Sequence, residues 1–595
     1  MENLRVPGVP AVAAVSTAGR VSTVALAGFG LVVLVRALTL PASLWEYDEM
    51  LFALSLKSFE PLAHHPHPPG YPLLVGLGKL FQIVFRDPFR SLVALSFVSS
   101  LVSYPALVST FRRIAGSERV AVAGTLLFLL SPVMLVQGPL PMSDPPSLMF
   151  LSLALAAAAR LASGGGTGAA MALGACASAA IGCRPQHAVA VIPMLAVALW
   201  KVRGRRRAET LAAFALVSLL WLAPLVKATG GLRGFLSYQG KQAAVVAAQD
   251  ATASRKGRDP LAIASRFVLN GWGARWLALP VLGLAIAGAV RLRRQRAGLA
   301  LPLAALSLTH LAFCLVAMDP GDGARYALPF LLGMAFAAAV GCEAAAEREG
   351  RPGLGWAPVA AIVAVSILFT FPLLAARAAS SPPVQAAGWV QRNLGPEAIL
   401  LVSPEMEPHA EYLLRGFERA PVEEGLRRAA RHPGAPVYLL AEGGSGWKGA
   451  ITFGWRDCQA YWKVTRSHYR VVSLSPVPPG RRFQILRGVS GWGPDGDVRR
   501  AQWRWMDAEA AVRIYPHRAR TAMVLLGLSP SSPQPSGTVE VSVNGSPAAS
   551  VEIPRGARRR VEVALPYEKA VEIAFRSTGA PLQLFSIETA RKPGR

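Results

Sequence analysis

The sequence predicts a polytopic α-helical membrane protein of about eleven transmembrane helices, followed by an α/β domain and then a β-sandwich on the outer side. Three observations predict it. Apolar runs of spanning length recur through the first two thirds of the chain, basic clusters fall between alternate runs, and after Pro382 short soluble elements take over. Of 595 residues, 52% are hydrophobic and only 16% charged, which excludes a disordered or fibrous chain.

The apolar runs lie near residues 21–40, 91–111, 119–137, 147–162, 168–183, 187–200, 208–227, 273–290, 299–318, 326–344 and 356–377. A cleaved signal ending at Ala42 is the other reading of the first run, but its length and the spans that follow favour an anchored helix. The run at 71–85 is too short to cross and suits a helix lying along the surface. If it does not cross, Arg112 and Arg113, the cluster KVRGRRR at 201–207, RLRRQR at 291–296 and EREGR at 347–351 all fall in the cytoplasm, as the positive-inside rule requires. The outward regions are then 41–90, 138–146, 228–272, 319–325 and everything after about Pro382. Loop 228–272 carries Arg233, Lys241, Arg255, Lys256, Arg258 and Arg266 against that bias, which binds long loops weakly.

The net charge of +27, from 62 Lys and Arg against 35 Asp and Glu, raises nucleic acid as a partner. The clusters sit between apolar runs without interleaved aromatics, so membrane lipid is the expected partner and nucleic acid is not. Cysteines number five, and Cys176, Cys183, Cys314 and Cys342 lie in apolar runs, leaving Cys458 alone in the polar region; this argues against a disulfide framework. The chain thus divides into a cytoplasmic N-terminus at 1–20, a membrane domain at 21–380, an α/β domain at 381–490 and a sandwich at 491–595. The α/β domain follows from helix, AILLVS, helix and VYLLAE; the sandwich from AVRIY, AMVLLGL, GTVEVSVNG, AASVEI, RRVEVAL, AVEIAF and LQLFSIE between turn residues.

The segment between Trp45 and Pro72 packs Glu46, Asp48, Glu49, Glu60, His64, His65 and His67 beside a bilayer, where such groups are costly and point to a functional site. Tyr47-Asp48-Glu49 after the first span, HPHPPGYPL some twenty residues on, SDPPS at 143–147 and GARYALPF before a late span together resemble the lipid-dependent GT-C glycosyltransferases. The resemblance is to the branch of protein O-mannosyltransferases, lipid A aminoarabinose transferases and RgtA/B/C/D-like sugar transferases, and covers about residues 20–380. It implies an integral plasma (inner) membrane enzyme that takes a sugar from a polyprenyl-phosphate carrier and places it on a glycan, lipid or protein acceptor. The family's first-loop acid maps onto Asp48 and its second-loop acid onto Asp144.

Residue chemistry agrees. Inverting sugar transfer needs a carboxylate to take the acceptor proton or stabilise charge at the anomeric carbon, and cations to receive the departing phosphate. On a helix starting near Asp48, Glu46 and Glu49 share one face while Asp48 turns about 160° away from Glu46. Asp48 is therefore the expected base or charge stabiliser, with Glu49 as its alternative or support and Asp144 placing the acceptor. Capping of the helices that follow is the plain alternative for both aspartates. Arg325 with Tyr326 beside it, Lys241 and Arg184 are expected at the phosphate, where the other role for such cations is an interfacial anchor. Arg36 is a partner for Glu46 or Asp48 on this reading, and His310 a packed histidine. His65 and His67 are expected to orient substrate. The scheme needs no cofactor; HHPH is not a zinc signature, and a divalent cation at the histidines is the open alternative. A multi-span transporter is the competing function, and a glycan-binding role for Trp503 and Trp505 a third.

Overall fold

The computed structural model describes residues 22–200, 202–250, 259–351, 354–432, 434–455, 462, 464, 471–578 and 582–590. The N-terminal segment, Arg255, Lys256, Arg258 and Cys458 lie outside the described residues.

The membrane domain opens with α1 (Thr23–Leu38), α2 (Tyr47–Lys57), α3 (Pro72–Phe85) and α4 (Pro88–Ala115). The expected surface helix at 71–85 is α3, and its 14 residues reach about 21 Å, short of a bilayer core. The run at 119–137 is split at Pro132 into α5 (Glu118–Leu129) and α6 (Pro132–Gln137), because proline favours a first helical turn over an interior. Then come α7 (Asp144–Ala162), α8 (Thr167–Cys183), α9 (Ala188–Trp200) and α10 (Arg205–Ala228). The long loop read at 228–272 contains α11 (Gly231–Val245) and α12 (Pro260–Val268).

The runs at 273–290 and 299–318 join into α13 (Arg275–Ala317), whose 43 residues would reach about 65 Å if straight, twice a bilayer core. It is not straight: Arg296 leaves helical geometry at φ −141°, ψ 27°. Both limbs of α13 line one apolar cavity of about 510 Å³ against α15 (Leu328–Arg348), through Leu282 and Ile286 on one limb and Leu303 and Leu308 on the other. α15 packs closely because Gly288 and Gly341 face it and α13 respectively; a Cβ at Gly288 would stand 1.8 Å from the Ala337 carbonyl. A four-residue turn of helix, α14 (Gly323–Tyr326), links α13 to α15, and α16 (Trp356–Arg377) closes the domain. Among the described residues, α4, α7, α10, α13, α15 and α16 are long and apolar enough to cross a membrane, and α1, α3, α8 and α9 are shorter apolar helices. This is an integral membrane protein.

Beyond Ser381, α17 (Pro382–Asn393), α18 (Glu407–Leu413) and α19 (Val422–Arg431) flank a sheet of β1 (Ile399–Val402), β2 (Glu418–Pro421), β3 (Val437–Glu442), β4 (Ile451–Gly454) and β5 (Val471–Pro476). Its order is β2-β1-β3-β5-β4, parallel across β2, β1 and β3 and antiparallel beyond. The remaining strands are β6 (Gln484–Gly493), β7 (Trp503–Ile514), β8 (Thr521–Leu528), β9 (Ser536–Val543), β10 (Ser546–Pro554), β11 (Arg558–Ala564), β12 (Val571–Ser577) and β13 (Leu582–Ala590). They hydrogen-bond as one antiparallel sheet in the order β10-β9-β12-β7-β13-β8-β11, with β6 on β7, so strand pairing begins at Gln484. The end strands β10 and β11 are joined by a three-residue turn, so the sheet curls until its edges meet around a Val, Ile and Leu core. Trp503 packs edge-on against Trp505 and tilted against Phe585.

Candidate functional site

Asp48 lies in the first turn of α2, where no side chain caps the helix: the cap position is Glu46 and makes no capping bond. Helical spacing instead sends the three acids two ways. Glu46 and Glu49 turn together to Arg377 at the end of α16, at 2.8 and 3.2 Å, and Asp48 turns to Arg325, whose Nη1 and Nη2 each donate to its Oδ2 at 3.4 Å. The same guanidinium donates through Nε to Asp144 Oδ2 at 3.0 Å. Arg184 donates to that oxygen as well, at 3.0 Å, and to Ser143 Oγ at 2.8 Å. Two aspartates and two arginines from α2, α7, α14 and the end of α8 thus meet at one point.

Local sequence explains each placement. Pro185 forces Arg184 out of the helix into extended backbone (φ −147°), which aims its side chain at the start of α7. Asp144 begins α7 ahead of Pro145 and Pro146, and its carboxylate accepts from the arginines. One turn on, Ser147 gives its hydroxyl hydrogen to the Ala180 carbonyl at 2.8 Å, so His187 Nδ1, 2.7 Å away, must donate to Ser147 Oγ. His310, packed edge-on against His187, donates from Nε2 to the Tyr326 carbonyl at 2.8 Å and so fixes the backbone beside Arg325. The Tyr326 ring stands 5.8 Å from the Arg184 guanidinium and 5.9 Å from that of Arg325.

The two aspartates differ in access. Asp144 is 2% exposed, whereas the Asp48 side chain is 28% exposed and open to an incoming molecule. Burial alone would raise the Asp48 carboxyl, but His67, Arg325 and Arg184 outweigh it and hold it below the usual carboxylate range. Burial likewise works against the Arg325 cation, and Asp144 and Asp48 reverse the effect, holding its pKa well above the ordinary value.

HPHPPGYP completes the site. His67 Nε2 lies 3.7 Å from Asp48 Oδ1 and 3.2 Å from the Tyr71 hydroxyl, which also receives Gln186 Nε2 at 3.2 Å. Gly70 sits at φ +107° with Leu225 pressed against it, where a Cβ would meet Leu225 Cδ1 at 2.6 Å, so only glycine fits. Tyr71 follows in left-handed conformation (φ 43°), a cost of about 1–2 kcal/mol. It caps α3 ahead of Pro72.

The structure therefore brings together Asp48, Asp144, His67, Arg184, Arg325 and Tyr326. Three other residues singled out from the sequence stand apart. Glu49 is fully buried, accepts the Trp45 amide at 2.6 Å and ties α2 to α16. His65 pairs with Glu411 of α18 at 3.2 Å. Lys241 is exposed on α11. Arg36 is buried on α1 and donates to the Leu129 carbonyl at 2.7 Å; the partner of Glu46 is Arg377, which sequence reasoning passed over as a basic residue ending a span. His65 and His67 of HHPH turn to different partners, and among the described residues no group of three or more His, Cys, Asp or Glu side chains is placed to hold a metal ion.

Glu46 carries a pH signature. Burial pushes its carboxyl up to about 8 despite Arg377, with Glu49 adding repulsion, and Glu49 is also raised, first by burial. The folded state thus holds a proton that the unfolded state releases near the ordinary carboxylate value. Stability is greatest below that value, falls as pH rises towards about 8 and is level above it. Glu46→Gln is expected to melt like the parent at pH 4.5 and progressively higher than it up to pH 8, each pKa unit being worth about 1.4 kcal/mol. Thermal unfolding in detergent from pH 4.5 to 9 checks this, and parallel curves for the two proteins would refute it.

Residues 66–227 match the family model described as dolichyl-phosphate-mannose-protein mannosyltransferase. No curated protein matches the chain in sequence. Among solved structures, ArnT from Cupriavidus metallidurans bound to undecaprenyl phosphate aligns at 14% identity and a TM-score of 0.51, over 76% of this chain and 97% of that one. Its apo form aligns at 13% and 0.50 over the same shares. Arabinofuranosyltransferase AftD from Mycobacteria aligns at 10% and 0.43, over 96% of this chain and 59% of that one. In fold and in the segment 66–227, which carries PHPPGYP and SDPPS, the chain is similar to the GT-C polyprenyl-phosphate-dependent glycosyltransferases, as its sequence motifs indicated.

Proposed function

We propose that this protein is an inverting glycosyltransferase that moves a sugar from a polyprenyl-phosphate carrier to a glycan, lipid or protein acceptor at the outer face of the plasma membrane. One observation carries the reading: the accessible carboxylate of Asp48 is ion-paired with a guanidinium, Arg325, that is itself clamped by the buried Asp144. A base and a phosphate-binding cation are thereby fixed side by side.

In the reaction, the acceptor oxygen attacks the anomeric carbon and gives its proton to Asp48 as the carbon–oxygen bond to phosphate breaks. The bonding electrons leave with the phosphate, whose charge Arg325 meets, with Arg184 behind it and the Tyr326 ring flanking both. Asp48, held ionised, also stabilises positive charge on the sugar ring. Asp144 is 2% exposed and carries both arginines on Oδ2, so it is poorly placed to form a covalent glycosyl intermediate, which favours one displacement and inversion. Arg112, Arg113 and Arg348 at helix ends and the 291–296 cluster at the bend of α13 lie together away from the aspartates, which supports the outward orientation of the site. The C-terminal α/β domain docks on α2 and shares that side. A transporter would place its ionisable groups near the bilayer midplane; here they gather at helix ends.

The test uses the full chain in sealed vesicles with polyprenyl phosphates carrying a radiolabelled sugar. Label should leave the lipid, with free polyprenyl phosphate appearing in equal amount. Label crossing the membrane while still joined to its lipid would sink the enzyme reading.

A further inference from the structure

Beside Asp48 lies a second group of polar side chains that the transfer scheme does not use. Tyr71 stands at its centre, bonded to His67 and Gln186. α11 lies across the same loop, since Gln239 donates to the Pro69 carbonyl at 3.2 Å, and its neighbour Tyr238 is buried with its phenol raised first by burial and then by Tyr71. Among the described residues, three enclosed atoms in this group find no hydrogen-bond partner: Tyr238 Oη, Gln186 Oε1 and His67 Nδ1. Such an atom costs about 1–3 kcal/mol when left unpaired, so three around one phenol are an expensive arrangement for a purely structural role.

We infer that Tyr238, Gln186 and Tyr71, with His67 at the edge nearest Asp48, form the subsite that receives the hydroxyl groups of the donor monosaccharide, an assignment that rests on the transferase reading above. Ligand chemistry follows from the atoms. The Gln186 amide has one end on Tyr71 and one end left over whichever way it is turned, and a sugar hydroxyl serves either because it both donates and accepts. Asp48 turns Oδ2 to Arg325 and Oδ1 towards His67, so the phosphate goes to the guanidinium side and the neutral ring to the His67 side. These atoms are closed to solvent, which fits a single sugar brought in beside Asp48 better than a polymeric acceptor.

The test measures affinity of the full chain in nanodiscs for undecaprenyl phosphate and for undecaprenyl phosphates bearing mannose, glucose or arabinose. Wild type should bind at least one sugar-bearing lipid about tenfold more tightly than the bare carrier. Tyr238→Phe and Gln186→Leu should each cut that margin about five- to tenfold, the worth of one hydrogen bond, and leave bare-carrier affinity unchanged. Tyr238→Phe should meanwhile melt no lower than wild type, because it deletes an unpaired buried hydroxyl; this keeps the test decisive if Gln186→Leu folds poorly. An unchanged margin in Tyr238→Phe, an equal loss for the bare carrier, or no margin for any of the three sugars overturns the subsite. Failure of wild type to bind even the bare carrier overturns the transferase reading with it.

Discussion

Asp48→Asn is expected to lower sugar transfer at least a hundredfold, within the range of about 10²–10⁴ that a positioned base contributes, while the protein folds and binds the lipid donor. Folding should survive because Asp48 is partly exposed and Arg325 keeps its bond to Asp144. Donor binding should survive because the arginines that meet the phosphate are untouched. Since its neighbours hold Asp48 below the usual carboxylate range, wild-type turnover should lose no activity through this group between about pH 5 and neutrality, falling only in stronger acid. Single-turnover measurements on matched amounts of folded protein decide the matter; near-normal turnover in Asp48→Asn would remove Asp48 from the reaction.

Asp144→Ala is expected to bring the largest loss of stability. Arg184 and Arg325 both donate to the one oxygen Oδ2, and each side chain is less than a tenth exposed. Deleting the anion takes from Arg184 its carboxylate and leaves Arg325 with Asp48 alone, and breaking a buried pair in this way costs about 3–5 kcal/mol. Asp144→Asn keeps an accepting oxygen but not the charge and should fall between Ala and wild type. Unfolding in detergent, monitored by tryptophan fluorescence, reads the order wild type, Asn, Ala. Asp144→Ala melting with wild type would show that the arginines find other anions and that Asp144 is not their clamp.

Much of this site was legible because its signals are local. Helical spacing alone separated Asp48 from Glu46 and Glu49, and the fold uses that separation, sending one to Arg325 and the other two to Arg377. SDPPS marked one helix end and Arg184, just past the apolar run at 168–183, marked another, and the two meet at Asp144. Pairing across long separations was not legible. His65 finds Glu411, 346 positions away, and Arg377 reaches back 331 to Glu46. Tyr238 lay in a stretch whose basic residues suggested a loop, and only tertiary contact with the HPHPPGYP turn turned α11 into a wall of the site. In the C-terminal region the two-residue period marked the strands, while sheet order depends on register between distant strands that a one-dimensional pattern does not contain.

Trp45 belongs to neither half of the protein alone. It belongs to one apolar core with Ala386, Val390, Leu400 and Met406 of the α/β domain, its ring meets Trp455 edge-on, its carbonyl accepts from His409, and its amide ends on Glu49. Composition changes at Pro382, and a chimera-builder would be tempted to cut there. Such a cut would strip the roof from the tryptophan that anchors the helix bearing Asp48. Any hybrid between relatives must carry the stretch from Ser43 to Lys57 along with the α/β domain, as a single inherited unit.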